Sequence, residues 1–335
     1  MSAGIGASKH AGLMIKAGAL RHIGRNADAE AVLKTALAMG RKAGYVVTFP
    51  WSPTSLLQSV YSLALDAEIE VAYVRSVIHR LKVPAPAGAS ELWPCAVRVF
   101  ALGRFEILVD DVSLDYGRKS PKRPLALLKF LIAHRGEASV EEAIDALWPD
   151  NEADAAANAL DAALHRLRRL LGDAGRVALQ DGQLRLDRGS IWVDAFDFEQ
   201  ALDAAEDGGV DSQRLTTQAL RRYRGHFLAA DRAEPWSISA RERLRSRFIH
   251  TMAAHGRTLE AAREFEAAAT HYSRAIDIDD LIEASYQGLM RAQIALGQRG
   301  EGIASYQRMR QTLTAKLGLQ PAVASEQLHE ALRAL

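Results

Sequence analysis

Between Asn158 and Gly172 the chain reads Asn-Ala-Leu-Asp-Ala-Ala-Leu-His-Arg-Leu-Arg-Arg-Leu-Leu-Gly, and its residue types recur at helical spacing. Leu160, Leu164, Leu167 and Leu171 share one apolar face. Asn158, Asp161, Ala162, His165 and Arg169 lie opposite, with Arg166 and Arg168 at the flanks. Arginine forks match guanine O6/N7 and phosphate oxygens, and an asparagine amide matches the adenine edge. The chemistry on offer is recognition rather than bond making. A basic C-terminal half also arises where a solvated helix end is stabilised by its own dipole, so the neighbouring elements decide between the two.

Those neighbours read as a positioning frame. Val97–Leu102 and Phe105–Val109 alternate like half-buried strands around Gly103 and Arg104, and Val112–Leu114 follows the turn Asp110-Asp111 as a third short strand. Ser120-Pro121 is a helix start, a capping hydroxyl with proline at the first helical position. That helix runs to His134 on Leu127, Leu128, Phe130, Leu131 and Ile132. A second, Val140–Leu147, turns Ala143, Ile144 and Leu147 inward and ends at Trp148-Pro149. Beyond Gly172, two alternating runs flank Asp181-Gly182, a hairpin signal. Strands, helix, helix, basic helix, hairpin is the order of a winged helix, whose third helix enters a major groove.

Residues from about Trp93 to Asp194 resemble the winged-helix domain of OmpR-type and SARP-type (antibiotic regulatory protein) bacterial transcriptional activators. The resemblance rests on Leu102-Gly103-Arg104-Phe105, the leucine run of the first helix, Leu147-Trp148-Pro149 and the Asn158–Gly172 stretch. The part after Asp194 resembles the bacterial transcriptional activator domain, through Tyr223-Arg-Gly, Glu234-Pro235-Trp236, Arg241-Glu-Arg-Leu and Leu317-Gly-Leu-Gln-Pro321. The likeness implies that Arg166 reads a base and that Asp161 accepts from cytosine or orients an arginine. It implies phosphate clamps at Arg168 and Arg169, a groove-facing His165, and a fit of Asn158 to the SARP-type pattern. Two departures stand out. The hairpin tip Gln180-Asp-Gly-Gln183 has no arginine, leaving Gln183 as its DNA-facing candidate, and no receiver domain precedes the winged helix, so no phosphorylation switch carries over.

Charge is distributed locally. The chain holds 42 basic and 41 acidic residues, net +1, and the winged-helix segment is itself close to neutral. Arg118-Lys119, Lys122-Arg123 and the run His165–Arg169 are its positive clusters. Lys119, Lys122 and Arg123 are therefore further DNA-binding candidates, with a solvated loop as the alternative. Contact with about four phosphates would give a log–log salt slope of roughly −4.

The remainder is helical and repetitive. Tyr272 and Tyr306 stand 34 residues apart, as do Arg274 and Arg308, which is the tetratricopeptide period. Helices are expected over 197–205, 212–224, 237–258, 259–276, 281–296, 301–317 and 321–335. Residues 1–83 also read as helical repeat, in pieces near Gly24–Leu37, Ser55–Leu65 and Glu68–Leu81, with the first eight residues frayed. Pro84–Ser90 is a proline-rich stretch within a linker over 84–92. The fold expected is mainly α: a winged helix-turn-helix (α+β) at 93–194, flanked by tetratricopeptide-like helices at 1–83 and 195–335.

Composition narrows the function. A single cysteine, Cys95, excludes an internal disulfide framework and a multi-cysteine zinc site. No apolar run reaches spanning length and no signal peptide is visible, so a cytoplasmic, nucleoid-associated bacterial protein without membrane contact is expected. Nucleotide-hydrolysing and hydrolase motifs are missing: Gly117-Arg-Lys-Ser120 lacks the phosphate-loop spacing. His250 and His255 are wrongly spaced for one helix face. Asp277, Asp279 and Asp280 lack the glycine and glutamate of a calcium loop and read as a capping turn. The expectation is a non-enzymatic regulator without cofactor, which binds double-stranded promoter DNA and recruits RNA polymerase. Its repeats would serve homodimerisation or a protein or small-ligand effector. The alternative is a tetratricopeptide adaptor whose winged helix binds protein.

Overall fold

The structure is a computed structural model that describes residues 2–46, 53–115, 121–209, 211–231 and 233–334. They form two compact units, Met1–Val99 with Glu106–Ala219, and Phe100–Phe105 with Leu220–Leu335. The fold is mainly α: a winged helix-turn-helix and tetratricopeptide-like helices.

The first unit begins with α1 (Ser2–His22), α2 (Asn26–Ala43), α3 (Thr54–Asp66) and α4 (Val71–Leu81). Met14, Ala17, Leu33, Leu37, Val60 and Ile78 are among the side chains that close this core. Helix from Ser2 onward corrects the expectation of a frayed start. Gly6 lies against the Tyr45 hydroxyl, which anchors the second turn. The proline-rich stretch after α4 is docked: Ala89 and Trp93 are 0% and 2% exposed in the same core, and Gln58 donates to the Pro84 carbonyl at 3.0 Å. Apolar residues at the end of the stretch have a core to enter, so it does not behave as a solvated spacer.

The winged helix follows with β1 (Val97–Phe100), β2 (Glu106–Val109), β3 (Val112–Ser113), α5 (Lys122–Ala133), β4 (Glu137–Ser139), α6 (Val140–Leu147), α7 (Ala153–Leu171), β5 (Val177–Gln180), β6 (Gln183–Leu186) and β7 (Ile191–Val193). One sheet has the order β3-β2-β1-β7 and the other β4-β6-β5. Two strands escape a reading by alternation. β7 runs parallel to β1, pairing Val97 with Ile191 and Val99 with Val193. β4 adds three residues to the hairpin, Glu137 opposite Arg185 and Ser139 opposite Gln183. Each is three residues long and is defined by its partner rather than by its own pattern. Ser120, expected as a helix cap, lies outside the described residues; Pro121 precedes α5, which starts at Lys122.

After β7 come α8 (Asp194–Glu206) and α9 (Ser212–Arg222), whose last residues enter the second unit. There the turn Phe100–Phe105 joins the chain near Phe227: Leu102 bridges Phe227, and Leu228 N–H donates to the Ala101 carbonyl at 2.9 Å. The unit continues through α10 (Ile238–Ala261), α11 (Phe265–Ile278), α12 (Glu283–Ala295), α13 (Arg299–Leu317) and α14 (Val323–Ala334). The break expected after residue 258 falls instead at Ala262–Glu264. Thr258–Ala261 keep helical bonding, and Arg263 takes a left-handed φ of +58° that ends it. Tyr272 and Tyr306, 34 residues apart, hold corresponding buried places in α11 and α13, 2% and 4% exposed, although their hydroxyls take different partners, Glu260 and Glu326, each at 2.6 Å. The three aspartates of the capping turn are each met by a cation, Asp277 by Arg308, Asp279 by Arg245 and Asp280 by Lys316.

Candidate nucleic-acid interface

α7 is built to hold one face in and the other out. Leu160, Leu164, Leu167 and Leu171 are 2%, 3%, 0% and 0% exposed, with Ala156 and Ala163 buried beside them. Fully burying four leucines is worth about 1.5–3 kcal/mol each, which fixes the rotation of the helix. Asp154 lies in its first turn and Arg168 and Arg169 in its last, the arrangement that complements the helix dipole. Gly172 closes it with a φ of +81°, its N–H donating to the Arg169 carbonyl at 3.3 Å.

The preceding helices set where α7 points. α6 starts with a reciprocal cap: Ser139 Oγ accepts from Glu142 N–H at 3.1 Å, and the Glu142 carboxylate accepts from Ser139 N–H at 2.8 Å. Those hydrogen bonds, the backbone one first, hold the Glu142 carboxyl below its usual range. Trp148, 5% exposed, fills the turn between α6 and α7. Arg123 donates to the Leu147 carbonyl at 2.5 Å and lies 5.6 Å over the Trp148 ring, so the start of α5 is clamped to that turn.

The hairpin of β5 and β6 is fused to the same frame. Asp181 and Gly182 both have positive φ, +50° and +74°, which gives the tight two-residue turn that fits twisted strands. Val140 N–H donates to the Gly182 carbonyl at 2.9 Å, Leu186 N–H to the Gly136 carbonyl at 2.8 Å, and Arg168 Nε to the Val177 carbonyl at 2.9 Å. Tip, base and helix end are thus tied together.

The structure brings Asn158, Asp161, Ala162, His165, Arg166 and Arg169 out on one exposed face of α7. The side chains of Arg166 and Arg169 make no hydrogen bond or ion pair among the described residues. Arg168 is half-buried, its Nε spent on the hairpin strand. Lys122 is exposed at the start of α5, and Arg123, also exposed, is engaged with Leu147 and Trp148. Gln183 is half-buried, opposite Gln180 on one side and Ser139 on the other. Lys119 lies outside the described residues. The sequence reading passed over Gln180, which is the exposed glutamine of the tip. Its place in the alternation of β5 was the available signal.

Burial pushes the Cys95 thiol up to about 11, so it is not a thiolate near neutral pH. Among the described residues no group of three or more His, Cys, Asp or Glu could hold a metal ion, and no helix is long and apolar enough to cross a membrane.

Residues 193–333, from the end of β7 through α14, match the family model of the bacterial transcriptional activator domain. A search of curated proteins finds no match to the sequence. Among solved structures, the fold is similar to that of Mycobacterium tuberculosis EmbR in complex with a low-affinity phosphopeptide, with 21% sequence identity and a TM-score of 0.53. The likeness covers 72% of this chain and 66% of that one, just under two thirds of the relative's length, and it is a likeness of fold.

Proposed function

We propose that the chain is a non-enzymatic, SARP-type transcriptional regulator that binds promoter DNA by inserting α7 into the major groove and recruits RNA polymerase. The reading takes 93–194 as the DNA-binding segment, 84–92 as its connection to the helices of 1–83, and 195–335 as the activator segment. The observation that carries it is the exposed α7 face, on which Asn158, Asp161, His165, Arg166 and Arg169 surround the small Ala162 on a helix locked by its leucines. The match of residues 193–333 to the bacterial transcriptional activator domain supports it independently.

The roles follow from chemistry. Arg166 offers a fork to guanine O6/N7, Asn158 an amide to adenine, and Asp161 an acceptor to the cytosine amine or an anchor for an arginine. Ala162 lets the helix come close to the groove floor. Arg169 and Lys122 supply phosphate contacts that set register, and Arg168 positions the hairpin. Neighbouring protomers would sit side by side on direct repeats, with the helical segments available for dimer or effector contacts. The site is soluble-phase chemistry in a bacterial cytoplasm.

Selection of bound duplexes from a random library by the full chain tests this. A defined sequence should emerge, and Arg166→Ala should lose preference at one position. The near-balanced charge, net +1, and the absence of an arginine at the hairpin tip favour a protein-binding adaptor instead. That reading takes over if neither the wild type nor any variant retains DNA at low salt.

A further inference from the structure

A groove in the second unit, about 280 Å³, carries a separate set of convergent polar groups from α10 and α12, with Tyr272 of α11 in its wall. Arg257 and Arg291 stand 34 residues apart, and so do Ala253 and Gln287. Two successive repeats therefore present equivalent positions to one space. Tyr272 reaches the groove because Gly256 and Gly288 have no side chains in its path; a Cβ at either would run into the ring.

The three charged groups are not equivalent. Arg291 holds Glu260 in a two-point pair, Nε to one carboxylate oxygen at 2.8 Å and an Nη to the other at 2.9 Å. The Tyr272 hydroxyl adds a third bond at 2.6 Å. Burial alone would raise the Glu260 carboxyl, but these bonds and the charges of Arg291 and Arg257 hold it below its usual range. The Arg257 guanidinium is exposed and, although its charge is felt by Glu260, makes no hydrogen bond or ion pair among the described residues. Gln287 donates its amide to Ser325 Oγ at 2.9 Å, while its carbonyl oxygen accepts none among them.

We infer that this groove binds an acidic peptide segment of a partner protein, with a side-chain carboxylate on Arg257 and a peptide N–H on the Gln287 carbonyl. One unpaired guanidinium beside one unpaired amide acceptor suits a carboxylate on a polypeptide. With Glu260 neutralised by Arg291, the groove's charged lining offers one net positive charge, a match for a single carboxylate rather than for a run of phosphates. Because both repeats contribute the same positions, the groove follows the array and suits a segment that continues past the arginine rather than a chain end.

The test uses the full chain without DNA, so its outcome is separate from that of the DNA-binding proposal. Fluorescein-labelled, end-capped hexaglutamate and hexaglutamine peptides are titrated by anisotropy. Hexaglutamate should bind at least tenfold more tightly. Arg257→Gln should abolish the preference with an unchanged melting curve, and Arg257→Lys should keep most of it. Equal binding of the two peptides, or a preference that survives Arg257→Gln, would overturn the inference. So would displacement of hexaglutamate by a single-stranded oligonucleotide whose own binding needs Arg257, which would make the groove a phosphate site.

Discussion

Arg168 Nε donates to the Val177 carbonyl at 2.9 Å, joining the last turn of α7 to the first residue of the hairpin. A side chain that lies in the basic run of the helix thus spends its best-directed donor inside the protein. Arg168→Ala should lower stability by about 0.5–1.5 kcal/mol, measured by urea unfolding, and weaken all duplexes alike through a loosened hairpin. Arg169→Ala should weaken DNA binding with a smaller loss of stability, its exposed charge contributing only through the helix dipole. Equal stability of the two variants would contradict this division of labour.

The exposed cations of the interface set its salt response. Lys122, Arg166 and Arg169 are exposed and not engaged internally among the described residues, while Arg123 and Arg168 make contacts within the protein. With Arg166 on a base edge, Lys122 and Arg169 are left for phosphates, and the expected log–log slope of affinity against salt is about −2 per protomer, shallower than the roughly −4 suggested by counting the basic run. Titrations between low and moderate salt give the value directly, and a slope near zero would rule out phosphate contact.

Helix rotation is fixed by leucine burial. Leu167, 0% exposed, should cost about 2–5 kcal/mol when truncated to alanine, read as a lowered denaturation midpoint. DNA affinity should fall with it, whereas Ala162→Ser on the outer face should leave stability unchanged.

Three histidines make stability depend on pH. Burial lowers His10 and His255, and burial first, with the charges of His255 and Arg274, lowers His271 below 6.5. For a group whose folded value is depressed, the unfolded chain takes up its proton first as pH falls. Stability is therefore full above about 6.5 and declines below it. Thermal melts from pH 8 to pH 5 should show that fall, and His271→Gln should flatten part of it. A melting temperature constant over the range would contradict the assignment.

Much of the fold is legible from residue pattern. The α7 leucines, the α6 boundaries, the Asp181-Gly182 turn and the Tyr272/Tyr306 period all declare themselves through spacing, because each is decided by local geometry. Hidden were features decided by partners far along the chain. β4 and β7 are three residues each and exist through pairing with β6 and β1. The engagement of Arg168 and Arg123 was equally hidden, since an arginine reads as basic whether its fork meets water, DNA or a carbonyl. Gln183 was chosen at the tip over Gln180 because residue type alone does not tell which glutamine the β4 pairing covers.

Methylation interference tests the central claim most directly. Dimethyl sulfate marks guanine N7 in the major groove, where the Arg166 fork is placed. One guanine should block binding of the wild type when methylated, and Arg166→Ala should bind more weakly by about 1–3 kcal/mol and ignore that methyl group. An interference pattern identical in the wild type and Arg166→Ala would contradict the placement of α7 in the groove.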